Sequence, residues 1–305
     1  MSFSPNKDIP DLAGKVIIVT GGNSGLGKES ITQLGKHAPR EIVMTARSEK
    51  KALEAIKEIE TEVPGIKLTF LSLDLSSFDS IKKAARSILE RYDRLDVLLN
   101  NAGLMGVPPS LTEDGYEMHF GSNHMGPALF TKLLLPLLEK TSKLPGSDVR
   151  VVQLSSDAHQ FGPKEGILFS QLKTTQADIS GTARYGQSKL ANLLYIKSLA
   201  KRYPGIKCVS LHPGVVKTGL ATEMMKRYPY LQWLFKIVVN LFFTDVHKGA
   251  YGQLWAATGR SSELESGAYY VPLKKKVTGN KMVNNDELAE KLWDWTEQEL
   301  LTHNL

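Results

Sequence analysis

A single cysteine, Cys208, stands in 305 residues, so no intramolecular disulfide can form. It lies in the apolar run Ile206-Lys207-Cys208-Val209-Ser210-Leu211, where a packed thiol in a strand is expected. No uninterrupted apolar run reaches the roughly 18 residues of a membrane-spanning helix. The opening MSFSPNKDIPDLAGK has no continuous apolar stretch of the kind a secretory signal carries. These absences lead to the expectation of an intracellular, cytoplasmic protein. The seven histidines show no ligand spacing with Cys, Asp or Glu, so no metal is expected. Nucleic acid is also set aside as a partner. The formal net charge is +6, but the basic residues are scattered and their longest run is Lys274-Lys275-Lys276. Repeats, low-complexity tracts and linkers are missing too. With 42% hydrophobic and 23% charged residues the chain can fill a core, and residues 1–305 are expected to form one domain.

What is present is an alternation of short β-rich runs and helical patterns. Lys15–Thr20, Glu41–Ala46, Lys67–Leu73, Leu95–Asn100, Val149–Leu154 and Lys207–Leu211 read as strands, and Ala268–Val271 as a seventh. KVIIVT is apolar almost throughout, as a strand covered on both faces must be. Helices are expected over about Gly25–His37, from a Ser48 cap to Glu62, over Asp79–Tyr92, Tyr116–Lys140, Ala183–Tyr203 and Asp286–Leu301. Pro127 and Pro136 should bend or perturb the fourth of these. Strands joined by crossover helices give an α/β fold with a doubly wound parallel sheet, helices on both faces.

The turn after the first strand reads Thr20-Gly21-Gly22-Asn23-Ser24-Gly25-Leu26-Gly27, four glycines in seven residues between a strand and a helix. Glycines permit positive φ and close backbone approach. The backbone of Gly21, Ser24, Gly25, Leu26 and Gly27 can then present amides and a helix N-terminus to a pyrophosphate. Such turns also serve structural ends, and the spacing departs from G-x-G-x-x-G. The end of the second strand chooses the dinucleotide. A carboxylate there suits a ribose 2′-hydroxyl, and an arginine suits a 2′-phosphate. The chain reads Met44-Thr45-Ala46-Arg47-Ser48-Glu49, with no carboxylate before Glu49, and Arg47 offers a planar, permanently charged fork. NADP is the expected cofactor.

Tyr185 and Lys189 stand four apart on an expected helix, which places ammonium and phenol on one face. A nearby cation favours the phenolate of a group that otherwise ionises near ~10. Together with Asp74-Leu75, Asn100-Asn101-Ala102-Gly103, Asn123, Ser155-Ser156 and Pro213-Gly214, these motifs make residues 14–219 resemble the short-chain dehydrogenase/reductase family, whose domain is a Rossmann fold. The resemblance implies Tyr185 as general acid/base, and Lys189 lowering its pKa and holding the nicotinamide ribose. It implies Ser156 orienting the substrate oxygen, and Asn123 supporting a water-mediated proton path to Lys189. Asp74 would lie at the adenine amino group, Asn101 near the adenosine ribose, and Val216 and Thr218 at the carboxamide and phosphates. Of the serine pair, Ser156 is chosen and Ser155 is assigned a place that is structural or near the cofactor, since neighbours in a strand face opposite ways. The segments Ser155–His159, Phe169–Leu172, Tyr185–Asn192 and Phe120–Gly126 resemble the retinol dehydrogenase and WW-domain oxidoreductase-like branch, from which Pro127 departs.

The implied function is an NADP-dependent oxidoreductase interconverting a carbonyl and an alcohol. A non-catalytic dinucleotide sensor, or an epimerase or dehydratase on the same scaffold, is the alternative. The segment at about 219–245 is expected to cover the substrate. Its residues 220–243, LATEMMKRYPYLQWLFKIVVNLFF, are too apolar for a surface loop and point to a hydrophobic small molecule, retinoid-, lipid- or polyketide-like. A core helix, a homodimer surface or peripheral insertion into a lipid surface would also account for them.

Overall fold

The computed structural model describes residues 3–216, 244–272 and 274–305. Eight strands form one sheet: β1 (Val16–Thr20), β2 (Glu41–Ala46), β3 (Leu68–Ser72), β4 (Val97–Asn100), β5 (Arg150–Leu154), β6 (Lys207–Leu211), β7 (Tyr269–Val271) and β8 (Lys275–Val277). Their spatial order is β3-β2-β1-β4-β5-β6-β7-β8. Every neighbouring pair is parallel except β7–β8.

The helices that position the site are α1 (Gly25–Gly35), α2 (Glu49–Glu62), α3 (Phe78–Arg91), α4 (Gly126–Ser142), α5 (Gly181–Arg202), α6 (Tyr251–Thr258) and α7 (Asp286–Glu299). The period-2 alternation of the strands divides the core. Val16, Ile18, Val43, Leu98, Val151 and Cys208 pack with α3, α4, α5 and α7. Ile17, Val19, Ile42, Met44, Val152 and Val209 pack with α1, α2 and α6 on the other face. The doubly wound α/β arrangement expected from the sequence is therefore present, and the chain reverses its winding between β1 and β4, where crevices for ligands open.

Element bounds fall within a few residues of expectation. Ser48 caps α2, its side chain accepting from Lys51 N–H at 3.4 Å. The closing helix α7 lies on α5, with Trp293 stacked on Tyr195 at 5.1 Å between ring centres. Cys208 is fully buried, and burial pushes its thiol up to about 12. Among the described residues no helix is long and apolar enough to cross a membrane.

Two features differ from the sequence reading. The single helix expected over Tyr116–Lys140 is broken into a short α turn (Met118–Phe120), a π-helix (Gly121–Met125) and α4. Pro127, in the first turn of α4, lacks the N–H that a continuous α-helix would donate to the Asn123 carbonyl, so α-type closure fails there and the backbone widens. Glycines let this wide stretch lie close to its neighbours. An added Cβ would stand 2.4 Å from Thr112 Cγ2 at Gly121 and 2.3 Å from the Leu75 carbonyl oxygen at Gly126. The second difference is β8, a short antiparallel strand absent from the sequence expectation.

Candidate active site

The β1–α1 turn is built on glycine for steric reasons. Gly21 and Gly25 have φ of +64° and +52°, and a Cβ at Gly27 would lie 2.4 Å from the Gly21 carbonyl oxygen. Polar side chains from other strand ends lock the turn. Asn101 Nδ2 donates to the Thr20 carbonyl at 2.8 Å, Thr20 Oγ1 accepts from Ala102 N–H at 3.0 Å, and Gly22 N–H donates to the Thr45 carbonyl at 3.0 Å. Gln253 of α6, which no motif singles out, is fully buried beneath. It donates to Ser30 Oγ at 2.6 Å and to the Leu26 carbonyl at 3.2 Å. Ser24 is exposed at the N-cap of α1, and its hydroxyl makes no capping bond. The first amides of α1 and the Ser24 hydroxyl are thus free to meet an anion.

Arg47 is exposed just beyond β2, and among the described residues its guanidinium has no ion pair. Asp74, beyond β3, turns one carboxylate oxygen onto Ser76, accepting from its N–H at 2.9 Å and its hydroxyl at 2.7 Å. Val216 is buried and forms an isolated parallel bridge with Thr244. It approaches the α1 side of the site, since a Cβ added at Gly249 would meet both Val216 at 2.7 Å and Leu26 at 3.1 Å. Thr218 and the segment 220–243 lie outside the described residues.

The reactive side chains gather at the ends of β4 and β5. Ser155 Oγ donates to the Lys189 carbonyl at 2.7 Å and is buried, which is the structural one of the two places expected for it. Ser156 instead caps the 3₁₀ turn Asp157–Phe161, accepting from Ala158 N–H at 3.1 Å, and its hydroxyl lies beside the Tyr185 phenol, where it favours the phenolate. Gly186 makes this approach possible, because a Cβ there would stand 2.5 Å from the Ala158 carbonyl oxygen. Lys189, one turn of α5 further on, donates to the Leu154 carbonyl at 3.2 Å and lies 5.6 Å from the centre of the Tyr185 ring. Gly103 leaves room for it. A Cβ there would be 3.2 Å from Lys189 Nζ and 3.3 Å from Asn123 Oδ1.

Asn123 hangs from the π-helix. Its side-chain oxygen accepts from Leu104 N–H at 2.8 Å, and Nδ2 donates to the Leu104 carbonyl at 2.9 Å and to Ser188 Oγ at 2.9 Å. The amide thus clamps the loop after β4 onto α5.

Burial dominates the electrostatics. It pushes the Tyr185 phenol up to about 12, opposed by the neighbouring Ser156 hydroxyl, which favours the phenolate. It pushes the Lys189 ammonium down to about 8. Without a bound cofactor, desolvation is the larger effect on the phenol and the Ser156 hydroxyl is what opposes it. Among the described residues the buried Lys189 ammonium has one hydrogen-bond partner, a neutral carbonyl, which leaves donors for hydroxyls brought beside it. The glycine turn, the unpaired Arg47 and this under-used ammonium fit a nicotinamide dinucleotide lying across the strand ends. Ser156 and Tyr185 together can bond to a single oxygen atom.

Comparison with known proteins agrees with this geometry. A family model described as short chain dehydrogenase matches residues 15–229. A short-chain dehydrogenase/reductase of Aspergillus calidoustus is 37% identical, covering 97% of each chain. Retinol dehydrogenase 12 of Mus musculus is 36% identical over 95% of this chain and 86% of its own. Among solved structures, an uncharacterised protein from Mycobacterium Paratuberculosis superposes with a TM-score of 0.77 at 28% identity, covering 99% of this chain and 98% of that one. With the site and these relatives in agreement, the chain belongs to the short-chain dehydrogenase/reductase family of oxidoreductases, in its retinol dehydrogenase-like branch.

Proposed function

We propose that the protein is an NADP-dependent oxidoreductase that interconverts a carbonyl and an alcohol on a hydrophobic small molecule. The observation that carries this reading is the gathering of the Ser156 hydroxyl, the Tyr185 phenol and the Lys189 ammonium, the last 5.6 Å from the ring centre. A dinucleotide sensor would need the glycine turn and Arg47 but has no use for that constellation.

A bound nicotinamide supplies or accepts the hydride. Everything else falls to the chain. In reduction Tyr185 Oη gives its proton to the substrate oxygen, and in oxidation it takes one from the alcohol. Ser156 Oγ donates a second hydrogen bond to the same oxygen, which gathers negative charge as the carbonyl opens. The Lys189 ammonium stabilises the phenolate left behind and holds the nicotinamide ribose. Asn123 keeps the Leu104 loop and α5 in register, so that a water beside Lys189 can return the proton.

The preference for NADP is supported by Arg47. It stands free at the end of β2, where no carboxylate competes, and a bidentate pair with a 2′-phosphate suits its fork. The apolar stretch 220–243 supports a hydrophobic substrate. The decisive experiment is an NADPH-consumption screen of purified protein against hydrophobic ketones, aldehydes and polyketide-like compounds. Turnover with NADPH and little with NADH is the expected result. Tight NADPH binding with no turnover on any carbonyl would favour the sensor.

A further inference from the structure

Three buried ionisable groups beside the Tyr185 ring and the turn before Asn123 have no task in the mechanism above. Glu117 and His119 are fully buried, and Arg184 nearly so. Glu117 Oε2 accepts from Phe120 N–H at 2.8 Å, capping the turn that runs into the π-helix of Asn123. Glu117 Oε1 hydrogen-bonds with His119 Nδ1 at 3.0 Å and forms an ion pair with Arg184, whose Nε lies 3.2 Å away but is not aligned for a hydrogen bond. Arg184 directly precedes Tyr185 on α5. Its remaining nitrogens donate to the carbonyls of Ile179 at 2.6 Å, Gln176 at 3.1 Å and Val107 at 3.3 Å. The His119 ring meets the Tyr185 ring edge-on, with centres 6.1 Å apart.

Burying charges is expensive, and apolar packing of equal volume would serve stability as well. Apolar contacts, however, are not directional, whereas charge-assisted hydrogen bonds fix geometry. Here one carboxylate reaches both halves of the reactive set: Asn123 through the turn it caps, and Tyr185 through Arg184 on one side and His119 on the other. We propose that Glu117 is a positioning residue that, acting through Arg184 and His119, holds the Tyr185 phenol in one orientation relative to Asn123. This rests on the reading of Tyr185 as the proton donor.

The test uses the full chain carrying [ζ-13C]tyrosine, with the Tyr185 resonance identified among the ten tyrosines by its loss in Tyr185→Phe. Glu117→Gln keeps size and a capping oxygen but removes the charge. His119→Gln keeps a donor toward Glu117 but removes the ring against Tyr185. In both variants the Tyr185 line should shift or split, while NADPH affinity, read by its fluorescence, stays at the wild-type value. With 4-nitrobenzaldehyde as the carbonyl probe, kcat should fall about ten- to a hundredfold, the usual penalty for a misplaced reactive group. An unmoved Tyr185 line with wild-type turnover overturns the proposal. So does a parallel collapse of all tyrosine lines and NADPH binding in His119→Gln, which would mark a role in the fold at large. If Glu117→Gln does not fold, His119→Gln decides. If the wild type leaves the aldehyde untouched, or Tyr185→Phe turns it over equally well, the functional reading fails. The Tyr185 line still judges the positioning.

Discussion

Asn123 and Tyr185 are joined through one hydroxyl: Asn123 Nδ2 donates to Ser188 Oγ at 2.9 Å, and Ser188 Oγ donates to the Tyr185 carbonyl at 2.7 Å. The main chain beneath the phenol is thus held without any help from the phenolic proton. Tyr185→Phe should therefore fold, bind NADPH as the wild type does and lose turnover. Steady-state kinetics beside an NADPH titration check this, and near-normal kcat in the variant would refute the assigned proton donor.

Lys189 gives a prediction about stability. Burial lowers its folded pKa to about 8, below the ordinary lysine value of 10.5. Between those values the unfolded chain binds more protons than the folded one, so this site adds stability as pH rises through that window, by about 3 kcal/mol at most. At neutral pH the ammonium therefore weakens the ligand-free fold. Lys189→Met should melt at a higher temperature than wild type near pH 7, with the gap closing toward pH 10, while NADPH affinity and turnover both fall. A variant that melts lower at neutral pH would contradict the burial argument.

Arg47→Ala should shift cofactor preference from NADPH toward NADH. The loss of a bidentate contact to a dianionic phosphate is worth about 1.5–3 kcal/mol. The ratio of kcat/KM for the two cofactors, in wild type and variant, measures it. Equal use of both by the wild type would remove the basis for the prediction.

Gly27→Ala should abolish dinucleotide binding at modest cost to the fold. The new methyl would press on the Gly21 carbonyl oxygen at 2.4 Å and on Asn101 Nδ2 at 2.6 Å, opening the turn that faces the pyrophosphate. Overpacking of this kind costs about 1–3 kcal/mol. Calorimetric NADPH titration and thermal melting separate the two effects, and wild-type affinity would show that the turn has room to spare.

Met225→Asp and Leu234→Asp, made singly, address the apolar segment 220–243. If the segment walls the substrate pocket, each raises KM for long apolar substrates and leaves NADPH affinity unchanged. Wild-type kinetics in both would end the pocket reading. Loss of vesicle flotation alone would assign the segment to a lipid surface.

Much of this architecture is legible from the sequence because parallel strands buried on both faces are mostly apolar, and a run such as Val16–Thr20 sits between clear turn residues. The glycine turn, Ser156, Tyr185 and Lys189 are legible for a related reason, since their chemistry tolerates few alternatives at those spacings. The π-helix escapes notice because Pro127 announces a disturbance without saying whether the helix bends or widens. The Glu117–Arg184 pair joins distant parts of the chain, and a glutamate and an arginine at those positions look like ordinary surface residues until the fold buries them. Strand β8 has too few residues to show a period and carries Lys275 and Lys276, which favour solvent.

Those same two lysines have a consequence at the rim of the sheet. A parallel sheet that ended at β7 would offer a row of open amides and carbonyls to any extended peptide nearby. The chain turns back on itself after Val271, covers that row with three residues running the other way, and leaves the outer margin short and exposed, with Lys275 and Lys276 on it. A second molecule approaching this margin meets the charged Lys275, beside the ion pair of Lys276 with Glu265, and too short a template to pair with. The protein should therefore stay dispersed at high concentration on this side, and replacing both lysines with threonine should make it self-associate through the sheet.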